Sequence, residues 1–228
     1  MAADPDVLSR RQALEAHGAE TASCTRCRLA QGRTQVVYGV GNPDADLMFV
    51  GEAPGFHEDK QGYPFVGSAG KLLDRLLEGI GLSRKDVYIA NTLKCRPPGN
   101  RDPMPDEIES CEPHLFRQLE LIQPKLVATL GNFATKLLSG KPTGITRVHG
   151  HPQEALVGGR RVTLYPIYHP AAALYTPAML KTLEEDFSRI PALLAGAGEA
   201  VAAVPEAQVI PFPTPPPAAP PQEQLGLF

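Results

Sequence analysis

Residues 46–55, DLMFVGEAPG, join a short apolar run to a turn made of small residues and proline. The run Asp46–Val50 has the length and apolar content of a core strand. Three similar runs follow along the chain: Val87–Leu93, Lys125–Leu130 and Val162–Ile167. We predict that these four runs form the core strands of one sheet.

Segments with the apolar spacing of helices separate the predicted strands. Leu72, Leu73, Leu76 and Leu77, for example, recur on one helix face. The predicted helices are Met1–Ala22, Ser68–Ile80, Asp106–Ile122, Asn132–Leu138 and Thr182–Leu194. Because a crossover between parallel strands needs a connection of helix length, this alternation predicts a three-layer α/β/α fold with a central, mainly parallel four-stranded sheet.

The composition divides the 228 residues into one globular part and a tail. The hydrophobic content of 43% is ordinary for a globular protein, whereas Ala, Pro, Gln and Glu dominate after about residue 196. We predict a helical lead over residues 1–22, a domain over 23–195 and a disordered tail over 196–228. The formal net charge of −3 gives no overall basic field, so composition alone does not indicate a nucleic-acid partner.

Four cysteines are the most distinctive feature of the chain. Cys24 and Cys27 form a Cys-x-x-Cys pair, and Cys95 and Cys111 follow much later. A four-thiolate zinc or iron–sulfur site, two disulfides, and a redox Cys-x-x-Cys pair are the alternatives. The sequence has no secretory signal and no run that could span a bilayer, so we expect a cytoplasmic protein without membrane contact. Disulfides are disfavoured in that reducing compartment, and a four-sulfur site is preferred.

Polar and small residues follow the predicted strands where a parallel sheet binds its ligands. Gly51–Gly55 follows the first strand, and its small residues allow close approach of a ligand. Asn91 can both donate and accept, which suits the edge of a flat base, and His169 can donate to a developing anion. Structural roles remain open for both side chains. No phosphate-binding loop motif is present, so nucleotide triphosphate chemistry has no support.

Five motifs occur together and in order: Gly51–Gly55, Pro64–Gly70, Asn91, Lys94–Pro98 and His169–Ala171. With these motifs and the four cysteines, the chain closely resembles the bacterial family 4, iron–sulfur-containing uracil-DNA glycosylases. The resemblance covers residues 24–194. It implies an enzyme that hydrolyses the N-glycosidic bond of uracil in DNA and so initiates base excision repair.

The resemblance also implies roles for individual residues. Phe65 would stack on the extruded uracil, Asn91 would pair with its N3 and O4 edge, and His169 would stabilise charge on O2. The implied ligands of a [4Fe–4S] cluster, in place of zinc, are Cys24, Cys27, Cys95 and Cys111. The implied substrate-binding residues are Glu52, Ala53, Pro54, Phe65, Asn91 and His169.

A carboxylate should activate water or stabilise the sugar cation, and the candidates are Glu58 and Glu52. The best-known uracil glycosylases carry an aspartate where this chain has Ala53, so that role does not transfer directly. We favour Glu58 as the catalytic carboxylate and expect Glu52 to shape the pocket. Leu174 is the candidate wedge that fills the gap left by the extruded nucleotide.

Two kinds of macromolecular partner are predicted. Uracil-containing DNA would contact the arginine-rich loops near the cysteines, whose cations are Arg26, Arg28, Arg33, Lys94, Arg96 and Arg101. The terminal segment Gln224–Phe228 resembles the Gln-Leu-x-Leu-Phe peptides that bind the bacterial sliding clamp, so Gln224, Leu225, Leu227 and Phe228 are predicted clamp contacts. We expect a monomer that associates with the nucleoid when bound to DNA.

Three other interpretations are compatible with the sequence. The chain could be a related glycosylase that excises other deaminated bases, or a superfamily member that crosslinks to DNA. It could also be a zinc-stabilised nucleic-acid-binding module without catalytic activity.

Overall fold

A six-stranded sheet forms the centre of the computed structural model, which describes residues 5–157 and 160–200. The strands are β1 (Val40–Gly41), β2 (Leu47–Gly51), β3 (Tyr88–Asn91), β4 (Leu126–Leu130), β5 (Gln153–Val157) and β6 (Arg160–Ile167). Their order across the sheet is β1-β3-β2-β4-β6-β5. Strands β3, β2, β4 and β6 are parallel, and β1 and β5 pair antiparallel at the two edges.

The four parallel strands are the four that the sequence predicted, which confirms the mainly parallel α/β/α fold. The predicted number of strands was too small, because the edge strands β1 and β5 were missed. Strand β1 has only two residues, and β5 alternates between more and less exposed positions. Neither edge strand therefore carries the continuous apolar run by which the central strands were found.

Helices cover both faces of the sheet. The α-helices of the described residues are α1 (Pro5–Ala22), α2 (Phe56–Gln61), α3 (Ser68–Gly79), α4 (Pro105–Ile122), α5 (Asn132–Ser139), α6 (Ile145–Val148), α7 (Pro170–Ala173), α8 (Pro177–Ser188) and α9 (Ile190–Ala200). Two 3-10 turns lie at Arg28–Gln31 and Pro98–Asn100. None of the helices in this part of the chain is long and apolar enough to cross a membrane.

The predicted closing helix Thr182–Leu194 is divided between α8 and α9. The break falls at Arg189, two residues before Pro191, whose missing N–H and fixed ring disfavour an uninterrupted helix. Helix α9 continues to Ala200, past the predicted domain boundary at residue 196. Residues 201–228, with the predicted clamp-binding segment, lie outside the described residues.

Side chains of β2 alternate between two separate cores, as expected for a sheet covered on both faces. Phe49 packs in a core with α3, α8 and α9, and its ring stacks 5.6 Å from that of Phe187. Met48 and Val50 pack in the opposite core with α1, α4 and α5. Met48, Phe49 and Val50 are all fully buried. Both faces of the sheet are therefore closed, and its carboxyl edge is left for a ligand.

Candidate active site

A cavity of about 340 Å³ lies at the carboxyl ends of the parallel strands. It is lined by all seven side chains predicted for the pocket: Glu52, Ala53, Pro54, Glu58, Phe65, Asn91 and His169. Further lining comes from Gly55, Ala69, Pro97, Asn100, Arg101 and Ala171. The fold therefore gathers side chains that are more than 110 positions apart in the chain into one site.

Phe65 is held in a backbone conformation that is uncommon for a residue with a side chain. Its φ is +54°, and its ring is almost fully buried. The Arg84 guanidinium donates to the carbonyls of Pro64, at 3.0 Å, and Phe65. Gly70 in α3 passes so close that an added Cβ would lie 1.7 Å from the Phe65 carbonyl oxygen. These contacts fix the ring 5.5 Å from that of His169, at an angle of 27°.

Asn91 presents a buried acceptor that the protein leaves unpaired. The residue is 2% exposed, and its Oδ1 has no hydrogen-bond partner among the described residues. Gly51 pairs with Asn91 across β2 and β3, and a Cβ at position 51 would lie 2.4 Å from that oxygen. Because an unpaired buried acceptor costs free energy, Oδ1 is a group that a ligand donor can satisfy.

The buried Lys94 side chain fixes the backbone of Asn91. Its Nζ donates to the Asn91 carbonyl at 2.8 Å and to Oε1 of Gln118 in α4 at 2.5 Å. Burial lowers the pKa of Lys94 to about 8, against the opposing effect of Cys111 and Cys95. Lys94 thus links the end of β3, at Asn91, to helix α4.

His169 is oriented as a neutral hydrogen-bond donor. Its Nδ1 accepts the N–H of Ala171 at 3.1 Å and so caps the short helix α7. Burial lowers the pKa of His169 to about 4, although nearby Glu58 acts in the opposite direction. With Nδ1 occupied as an acceptor, the single proton of the neutral ring lies on Nε2.

The two candidate carboxylates have different surroundings. Oε1 of Glu58 accepts the N–H groups of Val66 and Gly67, both at 2.9 Å, whereas Oε2 accepts no hydrogen bond from the described residues. Burial, with a contribution from Asp102, raises the pKa of Glu52. Glu58 is therefore fixed by the loop that carries Phe65, and one of its oxygens remains available.

The four cysteines line a second, smaller cavity. All four thiols are free of disulfides, which removes that alternative for this structure. Hydrogen bonds reach three of the sulfur atoms. The backbone N–H of Lys94 donates to Cys111 Sγ at 3.2 Å, Arg33 reaches Cys95 Sγ at 3.4 Å, and Nε2 of His114 lies 3.3 Å from Cys24 Sγ.

The thiols at this cavity need a cationic partner to become thiolates. Burial raises the pKa of Cys111 to about 11 and that of Cys95 above its usual range, so thiolates there need a positive partner. In the described part of the chain, no three Cys, His, Asp or Glu side chains converge closely enough to hold a single metal ion. Four thiols around one cavity supply the soft ligands that zinc and iron–sulfur centres share.

Comparison with known proteins agrees with this geometry. The profile of the uracil DNA glycosylase superfamily matches residues 38–192. A type-4 uracil-DNA glycosylase of Sulfurisphaera tokodaii is 50% identical over 176 residues, which cover 75% of this chain and 80% of the relative. The chain belongs to the type-4 group of the uracil-DNA glycosylase superfamily. Type-4 enzymes of Archaeoglobus fulgidus (50% identity; 75% and 88% coverage) and Thermotoga maritima (45%; 74% and 86%) are also similar.

Several basic residues of this type-4 chain are used internally, which differs from the predicted phosphate-binding role. Lys94 is buried, and Arg33 donates to the carbonyl of Cys24 at 2.6 Å. Arg101 forms a bidentate pair with the fully buried Glu107, at 2.9 and 2.5 Å. These three cations support the loops around the cysteines, and Arg26 and Arg96 remain better candidates for phosphate contacts.

Sequence reasoning missed the residues that position the glycosylase pocket. Gly70 and Lys94 lie inside the recognised motifs, but their contacts with Phe65 and Asn91 are visible only in three dimensions. Arg84 lies 19 positions after Phe65 and had no sequence signal. The predicted wedge Leu174 packs partly against the core, whereas the next residue, Tyr175, is 90% exposed.

Proposed function

We propose that this protein hydrolyses the N-glycosidic bond of uracil in DNA and thereby starts base excision repair. Family membership and the named activity of the type-4 relatives support the proposal. The observation that carries it is the buried, unpaired Oδ1 of Asn91 in a cavity that also contains the Phe65 ring. A pyrimidine with a donor at N3 completes that site.

Selection of uracil follows from the hydrogen-bonding pattern of the Asn91 amide. Its oxygen accepts the N3–H of uracil, and its NH₂ donates to O4. Cytosine has an acceptor at N3 and a donor at N4, so both contacts become mismatched. Sites that leave buried polar groups unpaired can reject the wrong ligand strongly. Phe65 supplies a stacking surface that any base could use, so the amide carries the discrimination.

His169 stabilises the departing base. When the bond between N1 and the sugar breaks, its electron pair moves onto the uracil and negative charge grows on O2. The Nε2–H of the neutral imidazole donates to that oxygen. A preorganised donor of this kind contributes about 100- to 1000-fold in rate.

Glu58 is the proposed acceptor of the water proton. The water oxygen attacks C1′ as the sugar acquires positive charge, and its proton passes to Oε2 while two backbone N–H groups hold Oε1. Glu52, whose pKa is raised, borders the pocket and shapes it.

Cys24, Cys27, Cys95 and Cys111 are the proposed ligands of a [4Fe–4S] cluster. Such a cluster would link the segment after α1, the loop after β3 and helix α4 covalently, and hydrolysis requires no electron from it. Those cysteines would thereby hold the loop that contains Lys94 and Pro97 beside the pocket, since Lys94 lines the cysteine cavity and Pro97 lines the pocket. Thiols that form no disulfide also suit the reducing cytoplasm that we propose for the enzyme.

DNA binding requires the uridine to leave the stack, at a cost of a few kcal/mol. Leu174 remains the proposed wedge, and exposed Tyr175 beside it is placed to assist. We further propose that the enzyme acts as a monomer. Residues 224–228 would tether it to the sliding clamp and raise its local concentration at DNA.

The proposal is tested by incubating anaerobically purified protein with oligonucleotides that differ only in one base: uracil, cytosine or thymine. We expect free uracil and an alkali-sensitive site from the uracil oligonucleotide alone. The visible spectrum recorded beforehand should show iron–sulfur absorption. A colourless zinc protein that releases no base would favour the non-catalytic binding module.

A further inference from the structure

Phe56 is a large apolar side chain on the surface beside the pocket. It is 49% exposed, begins α2 and directly follows Gly55, which lines the cavity. Isolated exposed apolar residues are common and need no explanation. Phe56 differs because two cations lie over its ring.

The two cations are Arg96 and Lys60. The guanidinium carbon of Arg96 lies 5.1 Å from the Phe56 ring centroid, and Nζ of Lys60 lies 5.9 Å from it. Arg96 is also held by Asn100, whose Oδ1 accepts from Nε at 2.6 Å. Asn100 and Pro97, the neighbour of Arg96, both line the cavity, so this group is continuous with the pocket rim.

Arg96 and Lys60 have no carboxylate partner within the part of the chain that the structure describes. Neither forms an ion pair with any of the described residues, whereas Arg28, Arg84 and Arg101 each have a carboxylate partner. Two uncompensated cations beside an exposed aromatic ring match a ligand that combines a flat apolar face with negative charge. A nucleotide has both features.

We propose that Phe56, Arg96 and Lys60 form a subsite for the nucleotide adjacent to the extruded uridine. The neighbouring base stacks on the Phe56–Arg96 pair, and its phosphate lies near Lys60 and Arg96. The subsite rests on the proposed function, because it binds the same strand as the pocket.

The subsite favours single-stranded or locally unpaired substrate. A neighbouring base that remains paired in a duplex keeps its own stacking partners and cannot lie on Phe56 without further unpairing. An unpaired neighbouring base gives up much less stacking and no base pair when it binds to Phe56. The contribution of Phe56 to the free energy of DNA binding is therefore larger for single strands than for duplexes.

The test measures coupling between Phe56 and the neighbouring base. Single-stranded uracil oligonucleotides carry either a normal base or an uncleavable abasic analogue on the 5′ or the 3′ side of uracil. The measured quantity is the enzyme concentration that gives half-maximal single-turnover excision. For wild type, removal of one neighbouring base should raise it about 5- to 150-fold. For Phe56→Ala, the same removal should change it less than about twofold.

Phe56→Tyr retains the aromatic plane and should behave as wild type. Leu156→Ala, which removes another exposed apolar side chain on edge strand β5, is the matched control and should also retain the full dependence. If removing either neighbour costs as much in Phe56→Ala as in wild type, the subsite is wrong, although uracil release would still support the proposed function. A wild-type protein that releases no uracil would refute both.

Discussion

Close contact at Gly51 sets the positions of the two side chains proposed to recognise uracil, Asn91 and Phe65. A Cβ there would lie 2.4 Å from Asn91 Oδ1 and 2.7 Å from Phe65 Cζ. Gly51→Ala should therefore displace the amide or the ring and lower single-turnover uracil excision about 100-fold. Gly79→Ala is the control, because nothing lies within 4 Å of its added methyl, and it should keep wild-type activity. Equal activity in the two variants would contradict the proposed packing.

The depressed pKa of His169 predicts a particular pH dependence. In the unfolded chain the imidazole takes up a proton below about pH 6.5, whereas in the folded protein it does so only near pH 4. The unfolded state thus binds more protons between these values, so acidification through this range lowers the free energy of unfolding, by up to about 3 kcal/mol from this group.

His169→Asn separates the capping role of the ring from its proposed catalytic role. The Asn oxygen can accept the Ala171 N–H, but the Nε2 donor is lost. Excision should fall about 100- to 1000-fold at pH 7. In urea unfolding at pH 7 and pH 4.5, the variant should lose less stability on acidification than wild type. An unchanged acid dependence would show that His169 is not held neutral.

At the level of elements, Arg84 joins the segment after α3 to the loop that carries Phe65. Arg84→Met removes its donors to the Pro64 and Phe65 carbonyls and its 2.6 Å pair with Asp74. Excision should fall about 10- to 100-fold although Arg84 does not line the pocket. Arg75→Met on the exposed side of α3 makes the same change in charge and should have little effect. A similar loss in both variants would indicate a general charge effect.

The elements found from sequence are those with strong apolar signals. Strand β2 is recognisable because all five of its positions are buried, whereas β5 reads QEALV and resembles a loop. The pocket residues were recognised as motifs, but their geometry was not predictable. The positive φ of Phe65 depends on Arg84 and Gly70, and the unpaired Asn91 oxygen depends on the strand register that brings Gly51 beside it.

For the whole molecule, the cysteine site is expected to connect the segment after α1, the loop after β3 and α4. Cys111→Ser should abolish the proposed iron–sulfur absorption and lower the melting temperature by about 5 °C or more, because three separate segments lose a common link. Ser110 lines the same cavity but carries no thiol. Ser110→Ala is therefore the control, and it should leave both the spectrum and the melting temperature close to wild type. A Cys111→Ser protein with full absorption would exclude Cys111 as a ligand.

The central claim is that the Asn91 amide reads the edge of an extruded uracil. The most direct test compares single-turnover excision of uracil and of cytosine from otherwise identical single strands by wild type and Asn91→Asp. The account predicts that the carboxylate, which can accept from the cytosine amino group, lowers the uracil-to-cytosine rate ratio by at least about tenfold. A ratio that stays at the wild-type value in a folded Asn91→Asp protein would contradict it.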